Sequence, residues 1–164
     1  MRKYKSLFIL LLLLLVGCTS IDEVVVETKD IVEKEFHAGE KGVNVETETF
    51  SYYKPTSMEI IDKGTTNIIL TEGKQPYILF VNTLEKKNSQ VVFDSSQKDE
   101  EYLVHETFEH KDSFAFLQVL ELDKNLYEVT VGVGGTKLTT ETKKDKIVDS
   151  AKLMMQIANS VRVK

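Results

Sequence analysis

Ser113-Phe114-Ala115-Phe116-Leu117-Gln118-Val119-Leu120-Glu121 and Leu126-Tyr127-Glu128-Val129-Thr130-Val131-Gly132-Val133 decide the fold class. Both runs are rich in aromatic and β-branched residues, and Asp123-Lys124-Asn125 between them supplies turn chemistry, so the pair reads as a hairpin. Side chains alternate across a strand. Phe114, Phe116 and Leu120 therefore share one face, and Ala115, Leu117 and Val119 the other. On the partner strand Tyr127, Val129, Val131 and Val133 line one side.

Downstream, Gly134-Gly135 permits a bend, and residues 137–142 read as a short edge strand. Thr142 and Asp145 fit a helix N-cap. Ile147, Ala151, Met154, Ala158 and Val161 then recur at spacings of four and three, the period of a helix over 146–160. Val148, Leu153, Met155 and Ile157 widen its apolar face, while Lys152, Gln156 and Asn159 keep one polar strip. Such a helix lies deep against a sheet.

Upstream, 102–109 alternates, with Tyr102, Val104 and Phe108 on one face. Residues 86–98 are polar apart from Val91-Val92-Phe93 and read as a short helix or loop. Residues 67–71 and 77–82 form a second hairpin around Glu72-Gly73-Lys74-Gln75, with Pro76 tolerated at the first position of its strand. The consecutive apolar residues Ile68-Ile69-Leu70 and Ile78-Leu79-Phe80-Val81 predict strands covered on both faces. Residues 58–62 read as a short strand, Lys63-Gly64 as a turn, and 43–53 as one strand ended by Pro55. Ser20-Ile21-Asp22-Glu23 matches the S-x-x-E capping box. A helix over 22–36 follows, with Ile21, Val25, Ile31, Val32 and Phe36 on one face and Gly39 closing it. The expected class is α+β: an antiparallel β-sheet of about six strands with N-terminal and C-terminal helices packed on it.

The first residues set a compartment. Arg2, Lys3 and Lys5 form a basic head, and Leu7 to Val16 is unbroken apolar sequence. Ten helical residues reach only about 15 Å, against a bilayer core of roughly 30 Å, so the run reads as a secretory signal rather than a permanent span. Leu15-Val16-Gly17-Cys18 resembles the lipobox of bacterial lipoproteins. The resemblance implies diacylglyceryl transfer to the Cys18 sulfur and cleavage before it. The organisation expected is a signal peptide over 1–17, a lipid anchor and short linker over 18–21, and one α+β domain over 22–164.

Charge and cysteine count narrow the function. Of the 21 Lys+Arg, three lie in the basic head, leaving 18 against 26 Asp+Glu, a formal charge of −8. An acidic body has no electrostatic attraction to nucleic acid or anionic lipid heads. Attachment to a membrane then depends on the lipid on Cys18. Cys18 is the chain's one cysteine; once modified it leaves no thiol for a disulfide, a metal or a nucleophile.

Within the body, Phe50-Ser51-Tyr52-Tyr53-Lys54-Pro55, Asn125-Leu126-Tyr127-Glu128-Val129-Thr130-Val131 and Ala158-Asn159-Ser160-Val161-Arg162-Val163 resemble the opening strand, a late strand and the closing helix and tail of PsbP-like domains. Ser57-Met58 stands in the region where that family carries Gly-Trp. The resemblance implies an antiparallel sheet with helices on both faces and a non-enzymatic role in binding or assembly. It transfers no functional residue.

Catalytic templates fail on spacing. Gly132-Val133-Gly134-Gly135-Thr136-Lys137 has the glycines of a phosphate loop. A dinucleotide fingerprint needs Gly where Lys137 stands, and a P-loop needs four residues between Gly and Gly-Lys. Glycines in a strand more often mark a bulge or a close approach. His105 and His110 are five apart, where H-E-x-x-H needs four; a metal site of these histidines with His37 is the remaining arrangement. Asp99-Glu100-Glu101 lacks the alternation of a calcium loop. Met154-Met155 reads as core or as an adaptable surface, and Tyr52, Tyr53 and Tyr77 as sheet packing or a partner surface. The expectation is a non-enzymatic, cofactor-free lipoprotein on the extracytoplasmic face of the cell membrane that binds or assembles with an envelope protein and not with nucleic acid. The alternative is a small-ligand or metal carrier.

Overall fold

The computed structural model describes residues 20–164; Cys18 and the signal-like segment lie outside them. Strands β7 (Ser113–Asp123) and β8 (Leu126–Val133) form the long hairpin, in continuous register from Ala115↔Val133 to Glu121↔Tyr127, with a one-residue shift before Asp123↔Leu126. Lys124-Asn125 make the turn, and Asn125 takes φ +61°, a left-handed conformation that asparagine tolerates. The two faces divide as the alternation requires. Ala115, Leu117, Val119, Val129 and Val131 enter the main core, while Phe114 and Phe116 join a second, smaller cluster on the other side.

Around this hairpin, β3 (Glu59–Lys63), β4 (Asn67–Glu72), β5 (Gln75–Val81), β6 (Val104–His110) and β9 (Thr136–Thr142) complete a seven-stranded antiparallel sheet in the order β3-β4-β5-β9-β8-β7-β6. The expected edge strand is therefore central: β9 sits between β5 and β8. Its polar sequence hides this. Thr140 buries its hydroxyl by donating to Pro76 O at 2.6 Å, and Thr142 by donating to Gln75 Oε1 at 3.2 Å. Pro76 stands second, not first, in β5 and pairs with Thr71. The apolar runs of β4 and β5 are fully buried on one face and partly covered on the other, where Phe80 packs on the second cluster and Ile69 is half-buried. Ile68, Leu70, Tyr77, Leu79 and Val81 are buried, whereas Ile78 is half exposed.

The single strand expected over 43–53 is instead a tight hairpin, β1 (Val45–Glu46) and β2 (Phe50–Tyr52). Thr47 turns the chain: its hydroxyl donates to Phe50 O at 2.8 Å and accepts from Phe50 N at 3.0 Å. The last strand, β10 (Arg162–Val163), pairs with the other edge of β2 to give a separate three-stranded sheet.

Helix α1 (Ile21–His37) starts on the capping box. Ser20 Oγ accepts from Glu23 N at 3.2 Å, and Glu23 Oε2 accepts from Ser20 N at 3.0 Å. Its deepest row is Val24, Thr28, Val32 and Phe36, which keeps Val32 and Phe36 of the expected face, while Ile21, Val25 and Ile31 flank it partly buried. Thr28 can lie there because its hydroxyl donates to Val24 O at 2.6 Å. Gly39 follows the helix end at φ +90°. Helix α2 (Val91–Ser95) decides the polar stretch, expected as a short helix or a loop, in favour of a helix over its apolar residues.

Helix α3 (Ile147–Ser160) is entered through a 3-10 turn (Lys144–Lys146) with no side-chain cap. Thr142 is occupied in the sheet, which removes it as the N-cap. Asn159, expected on the polar strip, is buried and donates Nδ2 to Phe36 O at 3.1 Å, closing the end of α1. Met154 and Met155 are core. Both long helices thus pack on one face of the sheet, and α2 covers part of the other. The molecule is α+β, with its main core running from Val24 to Val161, so residues 20–164 carry a closed core of their own.

Candidate functional site

Helices α1 and α3 lie side by side on the sheet, and a groove of about 680 Å³ runs between them. Val26, Ile31 and Val148 form its apolar floor. Asp22, Glu23, Glu27 and Asp30 from α1 and Asp149 from α3 stand along its rim, with Lys34 and Lys152 at one side. Val26 is 58% exposed because α1 aims Val24 and Thr28 at the core, which turns the intervening valine outward. The Val24-Val25-Val26 run could have flagged this in the sequence, since three consecutive valines cannot share one helical face. The contribution of α3 could not be read that way.

A second, polar cleft of about 670 Å³ opens between the β4–β5 hairpin and α3. At its inner wall Tyr77 Oη and Ser150 Oγ share a hydrogen bond at 3.2 Å. Gln75 Nε2 donates to Ser150 Oγ at 3.0 Å and to Thr140 Oγ1 at 3.1 Å. Burial raises the Tyr77 phenol above its ordinary value, only partly offset by the bond to Ser150, and Glu72 and Asp149 add to the rise. The phenol is a neutral hydrogen-bonding group at physiological pH. Glu72, Lys146, Asp149 and Lys152 ring the mouth.

The histidines separate into two places. His37, at the end of α1, and His110, at the end of β6, meet with ring centroids 4.7 Å apart beside Phe36. His105 lies elsewhere, stacked between Tyr102 at 4.6 Å and Phe93 at 5.5 Å. That three-ring stack fastens α2 and the following loop to β6. The structure therefore brings together two of the three candidate ligands. Among the described residues no group of three or more His, Cys, Asp or Glu is placed to hold a metal ion.

Other singled-out residues have structural places. Tyr52 and Tyr77 are buried and offer no partner surface; Tyr53 is half buried. Asp99, Glu100 and Glu101 lie exposed in the loop before β6. The Gly134-Gly135 turn is a close approach: a Cβ on Gly134 would stand 2.3 Å from Lys86 O. The phosphate-like glycine run is thus a packing feature under the loop 82–87. Among the described residues no helix is long and apolar enough to cross a membrane.

No family model matches the chain, and no curated protein matches it. A crystal structure from Bacteroides thetaiotaomicron VPI-5482 aligns with a TM-score of 0.34 at 11% identity, over 70% of this chain and 45% of that one. The chain thus spans less than half the length of that protein, and so slight a likeness carries no argument about fold or function.

Proposed function

We propose that the protein is a lipoprotein anchored through Cys18 at the extracytoplasmic face of the cell membrane, and that it works as a non-enzymatic binding or assembly module. The observation that carries this reading is the placement of the groove. Ser20 caps α1 two residues after Cys18, and the groove begins at Asp22 on the first turn. A surface so close to an anchor meets partners at the membrane. The basic head, apolar run and lipobox-like Leu15-Val16-Gly17-Cys18 support the anchor, and a diacylated cysteine supplies the two chains that stable attachment takes.

Cross-linking the membrane-borne protein in its own cells tests this, with Cys18→Ser as control. The expected result is membrane fractionation with one stoichiometric envelope partner, both lost in the variant. Substrate turnover by residues 20–164, together with an unchanged phenotype for Cys18→Ser, would overturn it.

A second reading, a small-ligand carrier, draws on the polar cleft between the sheet and α3, where the half-buried Gln75 amide stands over the buried hydrogen bond between Tyr77 and Ser150. A ligand held there raises the melting temperature saturably, and Gln75→Ala removes the rise.

A further inference from the structure

We infer that the groove between α1 and α3 docks a basic amphipathic helix of a partner protein, with aliphatic side chains seated on Val26, Ile31 and Val148 and lysines or arginines against the acidic rim. Placing that partner at a membrane rests on the function proposed above; the groove's chemistry does not.

The rim holds five carboxylates, Asp22, Glu23, Glu27, Asp30 and Asp149, against two lysines, Lys34 and Lys152. Helix dipoles account for part of this. Asp22 and Glu23 lie in the first turn of α1, and Asp149 in the first turn of α3, where the positive end favours an acid. The dipole has faded by Glu27 and Asp30, so those two have no such account. Two ion pairs of the helices take up none of these five carboxylates: Lys29 pairs with Glu106, and the rim's Lys152 with Glu35 at 3.9 Å. The groove therefore presents two carboxylates, Glu27 and Asp30, that neither a cap nor a dipole explains, beside Val26, which the fold leaves 58% exposed, and the outer edges of Ile31 and Val148, which pack partly on the core.

Both features select the occupant. An acidic rim repels anionic lipid heads and nucleic-acid phosphates, so the complementary ligand is cationic. An apolar floor bounded by two helices matches the mode in which an amphipathic helix lays its apolar face into a groove. On α1 the lining runs from Asp22 to Lys34, roughly 18 Å at 1.5 Å per residue. That length accepts about three turns of a partner helix.

The test uses residues 20–164 and two synthetic 14-residue helical peptides of identical leucine face, one flanked by lysines and one by glutamates, followed by fluorescence anisotropy. Saturable binding of the lysine peptide is expected, at least about tenfold tighter than the glutamate peptide, and weakening with salt as screening requires. Glu27→Gln with Asp30→Asn weakens it about five- to tenfold. Val26→Asp separates docking from diffuse attraction: it adds a negative charge yet removes floor, so groove docking weakens while non-specific attraction strengthens. Thermal unfolding of each variant checks the fold.

No saturable binding, equal binding of both peptides, or stronger binding by Val26→Asp would overturn the inference. So would co-sedimentation of residues 20–164 with phosphatidylglycerol vesicles that Val26→Asp abolishes, which would give the surface to lipid. Because these measurements do not involve Cys18, their failure leaves the anchored binding module to stand or fall on the cross-linking result.

Discussion

Two tyrosines show how one hydroxyl changes sign with its surroundings. Tyr52, on β2 of the small sheet, is fully buried in the main core, and its Oη has no hydrogen-bond partner in the structure. Burial pushes its phenol up to about 12. Tyr77 is equally buried, but its Oη shares a bond with Ser150. An unsatisfied buried polar atom costs about 1–3 kcal/mol, whereas a made hydrogen bond contributes about 1 kcal/mol. Tyr52→Phe is therefore expected to raise stability by about 1 kcal/mol, a melting-point gain of roughly 2–4 °C at this chain length. Tyr77→Phe lowers it by a similar amount. A fall in melting temperature for Tyr52→Phe would refute the account. A folded-state value raised above the ordinary 10 gives a contribution fully present below pH 10 and lost as pH rises toward about 12. Alkaline destabilisation across that window is expected to be smaller in Tyr52→Phe.

At the scale of elements, the β8–β9 turn and the loop 82–87 hold each other. Asn82 N donates to Gly135 O at 2.8 Å, Phe114 N to Lys87 O at 2.8 Å, and Gly134 N to Phe114 O at 2.9 Å. Gly134 combines φ +52° with a Cβ position 2.5 Å from Lys87 Cα, backbone that cannot swing aside. Gly39 has φ +90° and open space. Gly39→Ala is therefore expected to lose only the backbone strain, about 1–3 kcal/mol. Gly134→Ala loses that plus an overpacking term of about 1–3 kcal/mol, with faster amide exchange at Phe114 and Gly135. Equal losses would sink the argument. The same region shows what the sequence could reveal. The β7–β8 hairpin was legible because its apolar residues alternate onto two faces, each buried against something. β9 looked like an edge because it is threonine-rich, and the acceptors that let those threonines lie inside, Pro76 O and the Gln75 amide, are far away in the chain. The β1–β2 hairpin kept a period of two through its turn, so Thr47 gave no break in the pattern. The groove needs α1 and α3 to lie side by side, which no local pattern encodes, whereas the capping box of α1 is written within four residues.

At the scale of the whole molecule, distant segments converge on Glu40, just beyond α1. Its Oε1 accepts from Lys87 Nζ at 2.5 Å and its Oε2 from Arg162 Nε at 3.1 Å. The same Lys87 ammonium donates to Asn159 O at 2.7 Å at the end of α3. One carboxylate thus ties the exit of α1, the loop before α2 and the last strand into one corner, while Lys164 N secures β10 to Thr49 O at 3.0 Å. Burial alone would raise the Glu40 carboxyl; Lys87 and Arg162 outweigh it and hold the carboxyl below its ordinary 4.5. A depressed carboxyl contributes stability above its unfolded value and loses it as pH falls through its folded value. The side chain is about a third exposed, so water and salt screen it, and pairs of this kind contribute ~0.2–1 kcal/mol each. Glu40→Gln is therefore expected to lose about 1 kcal/mol at pH 7. The difference from the parent should shrink steadily below pH 4.5 and vanish once both chains carry a neutral group at that position. It should also shrink in 1 M salt, where the screening length is about 3 Å. Urea unfolding from pH 7 down to pH 3 measures this, and a difference that stays constant across that range would show Glu40 acting through shape rather than charge. The corner fastens the C-terminal strand, so the loss should come with faster amide exchange in β10 and β2 and unchanged protection in β7 and β8, where the hairpin supports itself.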